Sequence, residues 1–167
     1  MIKKGIILAG GSGTRLSPLT KSVNKQLLPI HDKPMIFYPL SVMMLANIKK
    51  ILMIINPGQI NNFKSLLGDG SRYGINITYK IQDKPRGLPD AFILGKTFIN
   101  KENVALILGD NFFYGQSLTK KLEKSSIHKS GATIFLKEVP SPENYGVAKI
   151  NKKKIEKIIE KPKKYVS

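Results

Sequence analysis

The sequence predicts an α/β fold, a mostly parallel central sheet with helices on both faces. Short, mostly apolar runs alternate with longer helical stretches in a βαβα rhythm. Runs that are apolar at successive residues suit strands covered on both sides, the condition of a parallel sheet. A glycine-rich turn follows the first run and an aspartate the fourth, at the strand ends where such sheets bind ligands.

In chain order, strands are expected at residues 6–9, 51–55, 75–81, 104–108 and 133–136. Helices are expected at 35–46, 60–67, 88–98 and 117–128, and right-handed crossovers distribute them over both faces. Pro89 falls in the first turn of the third helix, where proline is tolerated, and Asp90 suits the positive end of its dipole. Toward the C-terminus, "NYGVAKI" and "KIEKIIEKP" are β-like with no helix between them, a hairpin added to the main sheet. The sequence stops at "EKPKKYVS" without a finishing strand or helix and reads as an interrupted protein.

With 167 residues and 41% hydrophobic content, the chain makes one ordinary domain with one packed core, and no internal repeat or linker divides it. No apolar run nears the ~20 residues that span a bilayer. The opening "MIKKGIILAGG" reads as a strand entering a turn rather than as a signal peptide. Zero cysteines exclude a disulfide framework and a thiolate metal site, in keeping with a cytoplasmic protein.

A net charge of +17 ordinarily raises nucleic acid or an anionic membrane as a partner. Only Arg15, Arg72 and Arg86 among the 28 basic residues are arginines, however, and neither arginine forks nor stacking aromatics cluster. The lysine-rich segments read as solvated faces, so neither nucleic acid nor a membrane is expected as a partner.

Chemistry concentrates in three places. In "LAGGSGTRL", Gly10, Gly11 and Gly13 let backbone approach an anion, and Ser12 and Thr14 add donors. The loop is neither a Walker A motif nor a dinucleotide fingerprint, since Leu16 stands where the latter needs a third glycine. The glycines alone also fit a merely tight turn; Arg15 adds a guanidinium for bidentate phosphate contact. Next, "NKQLLP" holds Lys25, which suits a phosphate, and Gln26, which can pair with a nucleobase edge. In "ALILGDNFFYG", Asp110 leaves an apolar strand at the sheet's binding edge, where it serves either as a Mg²⁺ ligand or as a turn or helix-capping residue. No nucleophile set is visible, and His31 and His128 read as bystanders.

Together "GIILAGGSGTRL", "KQLLPIHDKPMIFYPLSVMMLA", "LLGDGSRYGINITYKIQ", "LGDNFFYG" and "YGVA" resemble the glucose-1-phosphate thymidylyltransferase family, enzymes that make dTDP-glucose. The resemblance implies a Rossmann-like nucleotidyltransferase fold, shortened at its C-terminal end, with residues 1–167 forming the nucleotide half and the start of the sugar-binding part. It implies dTTP and glucose-1-phosphate as substrates and Mg²⁺ as cofactor. It assigns Arg15 and Lys25 to the triphosphate, Leu8 and the loop from Gly10 to Thr14 to the nucleotide, and Asp110 to the metal. Gln26 and Gln82 would read thymine, with Gly87 adding a backbone contact. Tyr145, Gly146 and Glu160 would meet the sugar and Lys161 its phosphate. A second metal-binding aspartate and the helices that build the family's homo-oligomers would lie beyond Ser167, which leaves a non-catalytic nucleotide-binding remnant as the alternative. Where the family usually has Ala and Gln, this chain has Pro89 and Asp90, which puts a negative charge near the triphosphate.

Overall fold

A computed structural model of the chain describes residues 1–11, 13–127, 130–152 and 154–163. It comprises two compact units, Met1–Lys129 and Ser130–Ser167. The first carries β1 (Lys4–Ala9), a short antiparallel ribbon of β2 (Pro29–Ile30) and β3 (Lys33–Pro34), α1 (Phe37–Leu45), β4 (Lys50–Ile55) and α2 (Ile60–Leu67). There follow β5 (Asn76–Ile81), α3 (Asp90–Leu94), α4 (Lys96–Ile99), β6 (Val104–Leu108) and α5 (Leu118–Ser125).

The four long strands form a parallel sheet in the order β5-β4-β1-β6. From β1 the chain steps outward to β5, then returns across the sheet to lay β6 on the other side of β1. That reversal decides which face each helix takes, because right-handed crossovers running in opposite directions lie on opposite faces. Leu40 and Met43 of α1, Phe63 and Leu67 of α2 and Leu122 of α5 pack with Ile7, Met53 and Ile107 on one face. Ala91, Leu94 and Phe98 of α3 and α4 pack with Ile6, Leu52 and Ile54 on the other. The expected parallel sheet with helices on both faces is what the chain forms.

Four details differ from the sequence expectation. The helix expected at 88–98 is divided at Gly95, where a Cβ would stand 2.9 Å from Ile6 Cδ1 and 2.9 Å from the carbonyl of Ala91. The break lets the chain lie close on the sheet. Residues 133–136 are not a strand; Ile134, Phe135 and Leu136 remain 44–52% exposed. β-propensity depends on context and does not by itself make a strand.

In the second unit, β7 (Gly146–Asn151) and β8 (Lys154–Glu160) form the expected antiparallel hairpin, but as a two-stranded sheet of its own rather than an addition to the main one. Its strands are lysine-rich and mostly exposed, without the two-sided apolar surface that insertion into a parallel sheet demands. The helix expected at 117–128 ends at Ser125, and His128 lies outside the described residues.

Candidate nucleotide site

The strand order reverses between β1 and β6, and a sheet of this kind opens a crevice beyond the strand ends at such a point. The chain leaving β1 and the chain leaving β6 both deliver polar groups there. After β1, Gly11 has φ +100° and Gly13 φ +60°, conformations that glycine adopts freely. Gly13 then opens a 3-10 turn, Thr14–Leu16, which carries Arg15 exposed. A second such turn, Lys25–Leu27, is capped by Asn24, whose Oδ1 accepts from the Gln26 amide at 2.9 Å. Asn24 Nδ2 also donates to the Ala9 carbonyl at 3.4 Å, which pins the turn to the end of β1.

After β6, Gly109 donates its amide to the Leu8 carbonyl at 2.8 Å and brings Asp110 to the crevice. Phe112 stacks against Tyr38 of α1 with ring centroids 4.5 Å apart, holding the segment that follows. Lys25 Nζ meets Asp110 Oδ2 at 2.7 Å, with the side chains 29% and 35% exposed. The capping position of α5 is Ser117, not Asp110. A cleft of about 270 Å³, lined by Gly13, Thr14, Arg15, Leu16 and Lys25, lies beside this pair.

The two glutamines are more enclosed than a surface reader would be. Gln26 is 3% exposed; its Nε2 donates to the Gly10 carbonyl at 3.4 Å, and its Oε1 has no hydrogen-bond partner among the described residues. Gln82, at the end of β5, is 5% exposed and lies beside Gly10, where a Cβ would come within 2.9 Å of its Oε1. Asp90 is not a bare charge facing a triphosphate. It is 4% exposed, accepts from Gln82 Nε2 at 2.7 Å, and has Arg86 Nη1 3.7 Å from its other oxygen.

The structure therefore gathers Gly10, Gly11, Gly13, Thr14, Arg15, Lys25, Gln26, Gln82 and Asp110 in the first unit. Leu8 lies in β1 beneath them, Gly87 occupies an exposed loop at φ +88°, and Ser12 lies outside the described residues. Asn56 was not singled out by sequence reasoning. Its Nδ2 donates to the Gly11 carbonyl at 2.8 Å and its Oδ1 accepts from the Gly11 amide at 3.1 Å, so one side chain braces the loop in both directions. Position 56, directly after an apolar strand, was the available signal, but in "NPG" it reads as a turn residue.

The remaining candidates belong to the second unit and come together there. Gly146 and Glu160 are register partners at the open end of the hairpin. Lys161 donates its amide to the Tyr145 carbonyl at 2.9 Å, and Glu160 Oε2 lies 3.1 Å from where a Cβ on Gly146 would be.

A glycine loop, two cationic side chains and a carboxylate thus stand at the switch point of a parallel α/β sheet. Residues 4–167 match the nucleotidyl transferase family model, and the chain belongs to that family. It is 57% identical over 148 residues to the glucose-1-phosphate thymidylyltransferase of Neisseria meningitidis serogroup A, a match covering 89% of this chain and 51% of that one. Among solved structures it superposes on a proposed glucose-1-phosphate thymidylyltransferase from Bacillus anthracis, in complex with a sucrose, with a TM-score of 0.91 at 40% identity, over 98% of this chain and 66% of that one. A UDP-glucose pyrophosphorylase complexed with UDP-glucose matches with a TM-score of 0.75 at 26% identity, over 97% and 70%. The chain spans about half the length of the curated relatives it matches, 51% and 55% for two of them.

Among the described residues no helix is long and apolar enough to cross a membrane. Nor do three or more His, Cys, Asp or Glu side chains gather there as a metal cluster. Asp110 fits a hard cation as a single oxygen ligand, the donor type Mg²⁺ prefers, with one carboxylate oxygen engaged by Lys25.

Proposed function

We propose that this chain carries the nucleotide half of a glucose-1-phosphate thymidylyltransferase, which joins dTTP and glucose-1-phosphate into dTDP-glucose and pyrophosphate. The observation that carries this reading is the Lys25–Asp110 pair beside the glycine loop at the β1/β6 switch point. In the reaction, a phosphate oxygen of glucose-1-phosphate attacks the α-phosphorus of dTTP in line. The bond to the bridging oxygen breaks, and pyrophosphate leaves with its electron pair. The nucleophile is already an anion, so no general base or covalent intermediate is needed, and catalysis reduces to positioning and charge stabilisation.

Arg15 and Lys25 offset the charge on the triphosphate and the departing pyrophosphate, while the loop from Gly10 to Thr14 seats the nucleotide. Asp110 would hold Mg²⁺, which would supply further positive charge to the reacting phosphates when bound. Gln26, Gln82 and Gly87 contact the base; Tyr145, Gly146, Glu160 and Lys161 meet the sugar phosphate. A chain without cysteines suits the reducing cytoplasm in which such chemistry runs.

The test is pyrophosphate release from dTTP, glucose-1-phosphate and Mg²⁺, compared with an Arg15→Ala control. Release above the control supports the reading. No release, with dTTP still raising the melting temperature, leaves a nucleotide-binding module without turnover.

A further inference from the structure

We propose that Asp90 is a positioning residue: it fixes the amide of Gln82 and so sets which nucleobases the site accepts, an inference that rests on reading Gln82 as a base contact. Gln82 Nε2 donates to Asp90 Oδ2 at 2.7 Å, and the two residues are 5% and 4% exposed. A carboxylate has no proton to give, so the NH₂ end of the amide faces Asp90 and the carbonyl end faces away. On that far side is the glycine loop, where Oε1 stands 2.9 Å from the point a Cβ on Gly10 would occupy. Arg86 Nη1, 3.7 Å from Oδ1, tethers the carboxylate from its other edge. Asp90 is the first residue of α3, and Ala91 beside it is packed against β1 and β4, so the carboxylate is anchored to the sheet.

A glutamine free to turn its amide over pairs with a donor or an acceptor; this one offers an acceptor. Thymine and uracil present a ring N–H between two carbonyls. Cytosine presents a bare ring nitrogen in that place, which would set acceptor against acceptor. A neutral amide at position 90 could donate as well as accept and would release Gln82 to turn. The carboxylate is therefore the feature that removes the ambiguity.

Isothermal titration of the 167-residue chain with dTTP, dUTP, dCTP and inorganic tripolyphosphate tests this. The expected result is equal binding of dTTP and dUTP, with dCTP at least about tenfold weaker. Asp90→Asn then narrows the gap to within about threefold while tripolyphosphate affinity stays unchanged, an outcome that general loosening of the fold does not produce. If Asp90→Asn keeps the gap while Gln82→Ala abolishes it, the base contact stands and the clamp is overturned. If Gln82→Ala also keeps it, or the unmodified chain shows no gap, the base reading falls and the clamp with it. A measurement on the unmodified chain covers the case in which Asp90→Asn does not fold. One Nε2 proton of Gln82 should exchange with solvent more slowly than its twin, and two equally fast protons overturn the clamp.

Discussion

Lys25 and Asp110 are 85 positions apart in the sequence and 2.7 Å apart in space. The pair joins the turn that follows β1 to the segment that follows β6, across the point where the sheet reverses its order. Each partner then has a separable effect on ligand binding. Lys25→Met removes a charged contact to phosphate, worth about 1.5–3 kcal/mol, and should weaken dTTP binding roughly tenfold to a hundredfold by calorimetry. Asp110→Asn should leave dTTP binding in metal-free buffer no weaker and abolish the gain that Mg²⁺ brings. A full Mg²⁺ effect in that variant would remove Asp110 from the metal site.

Asn56 braces Gly11 through two hydrogen bonds to its backbone. Each such bond contributes about 0.5–1.5 kcal/mol, so Asn56→Ala should weaken dTTP binding several-fold. The Gly11 amide should also exchange faster with solvent in the free protein, measured by hydrogen exchange. An unchanged Gly11 exchange rate would show that the loop holds itself.

Gly109 has backbone neighbours where a side chain would go. A Cβ there would lie 3.0 Å from Ala9 Cα and 2.8 Å from Gln26 Cγ. The strand partner cannot retreat without opening the β1–β6 ladder, so Gly109→Ala should destabilise the fold by about 1–3 kcal/mol, read as a lowered thermal midpoint.

The Tyr79 hydroxyl donates to the Gly68 carbonyl at 2.6 Å, and partial burial pushes its pKa up from 10.0 to about 12. The raised value means that the folded state favours the neutral phenol. That contribution is complete below pH 10 and is lost as pH rises through 12. Urea midpoints measured across this alkaline window should fall more steeply for the unmodified chain than for Tyr79→Phe, and parallel slopes would contradict the assignment.

The sheet was legible because β1, β4 and β6 carry apolar residues in succession, and 104–108 coincides with the observed β6. The loop and Asp110 were legible because glycine and carboxylate stood at strand ends, whereas Lys25, in a turn well past β1, was picked out by the family resemblance. Residues 133–136 misled because β-propensity depends on context, which an apolar run does not reveal. The break at Gly95 was not legible, because its reason is a contact with Ile6 far back in the sequence. Asp90 illustrates the limit most clearly. Beside a predicted triphosphate site it read as an unfavourable charge, and only the fold turns it inward against Gln82 and Arg86.

The register of β6 on β1, which pairs Val104 with Lys4, also sets an order of events during synthesis. The phosphate loop and Lys25 leave the ribosome long before their carboxylate partner does. A nascent chain ending after β5 would carry the cationic half of the site with nothing opposite it. Closing that seam spans about 100 residues, so the two halves of the site meet only once β6 has been made. A nucleotide seated across the seam would then act as a staple on a long-range contact.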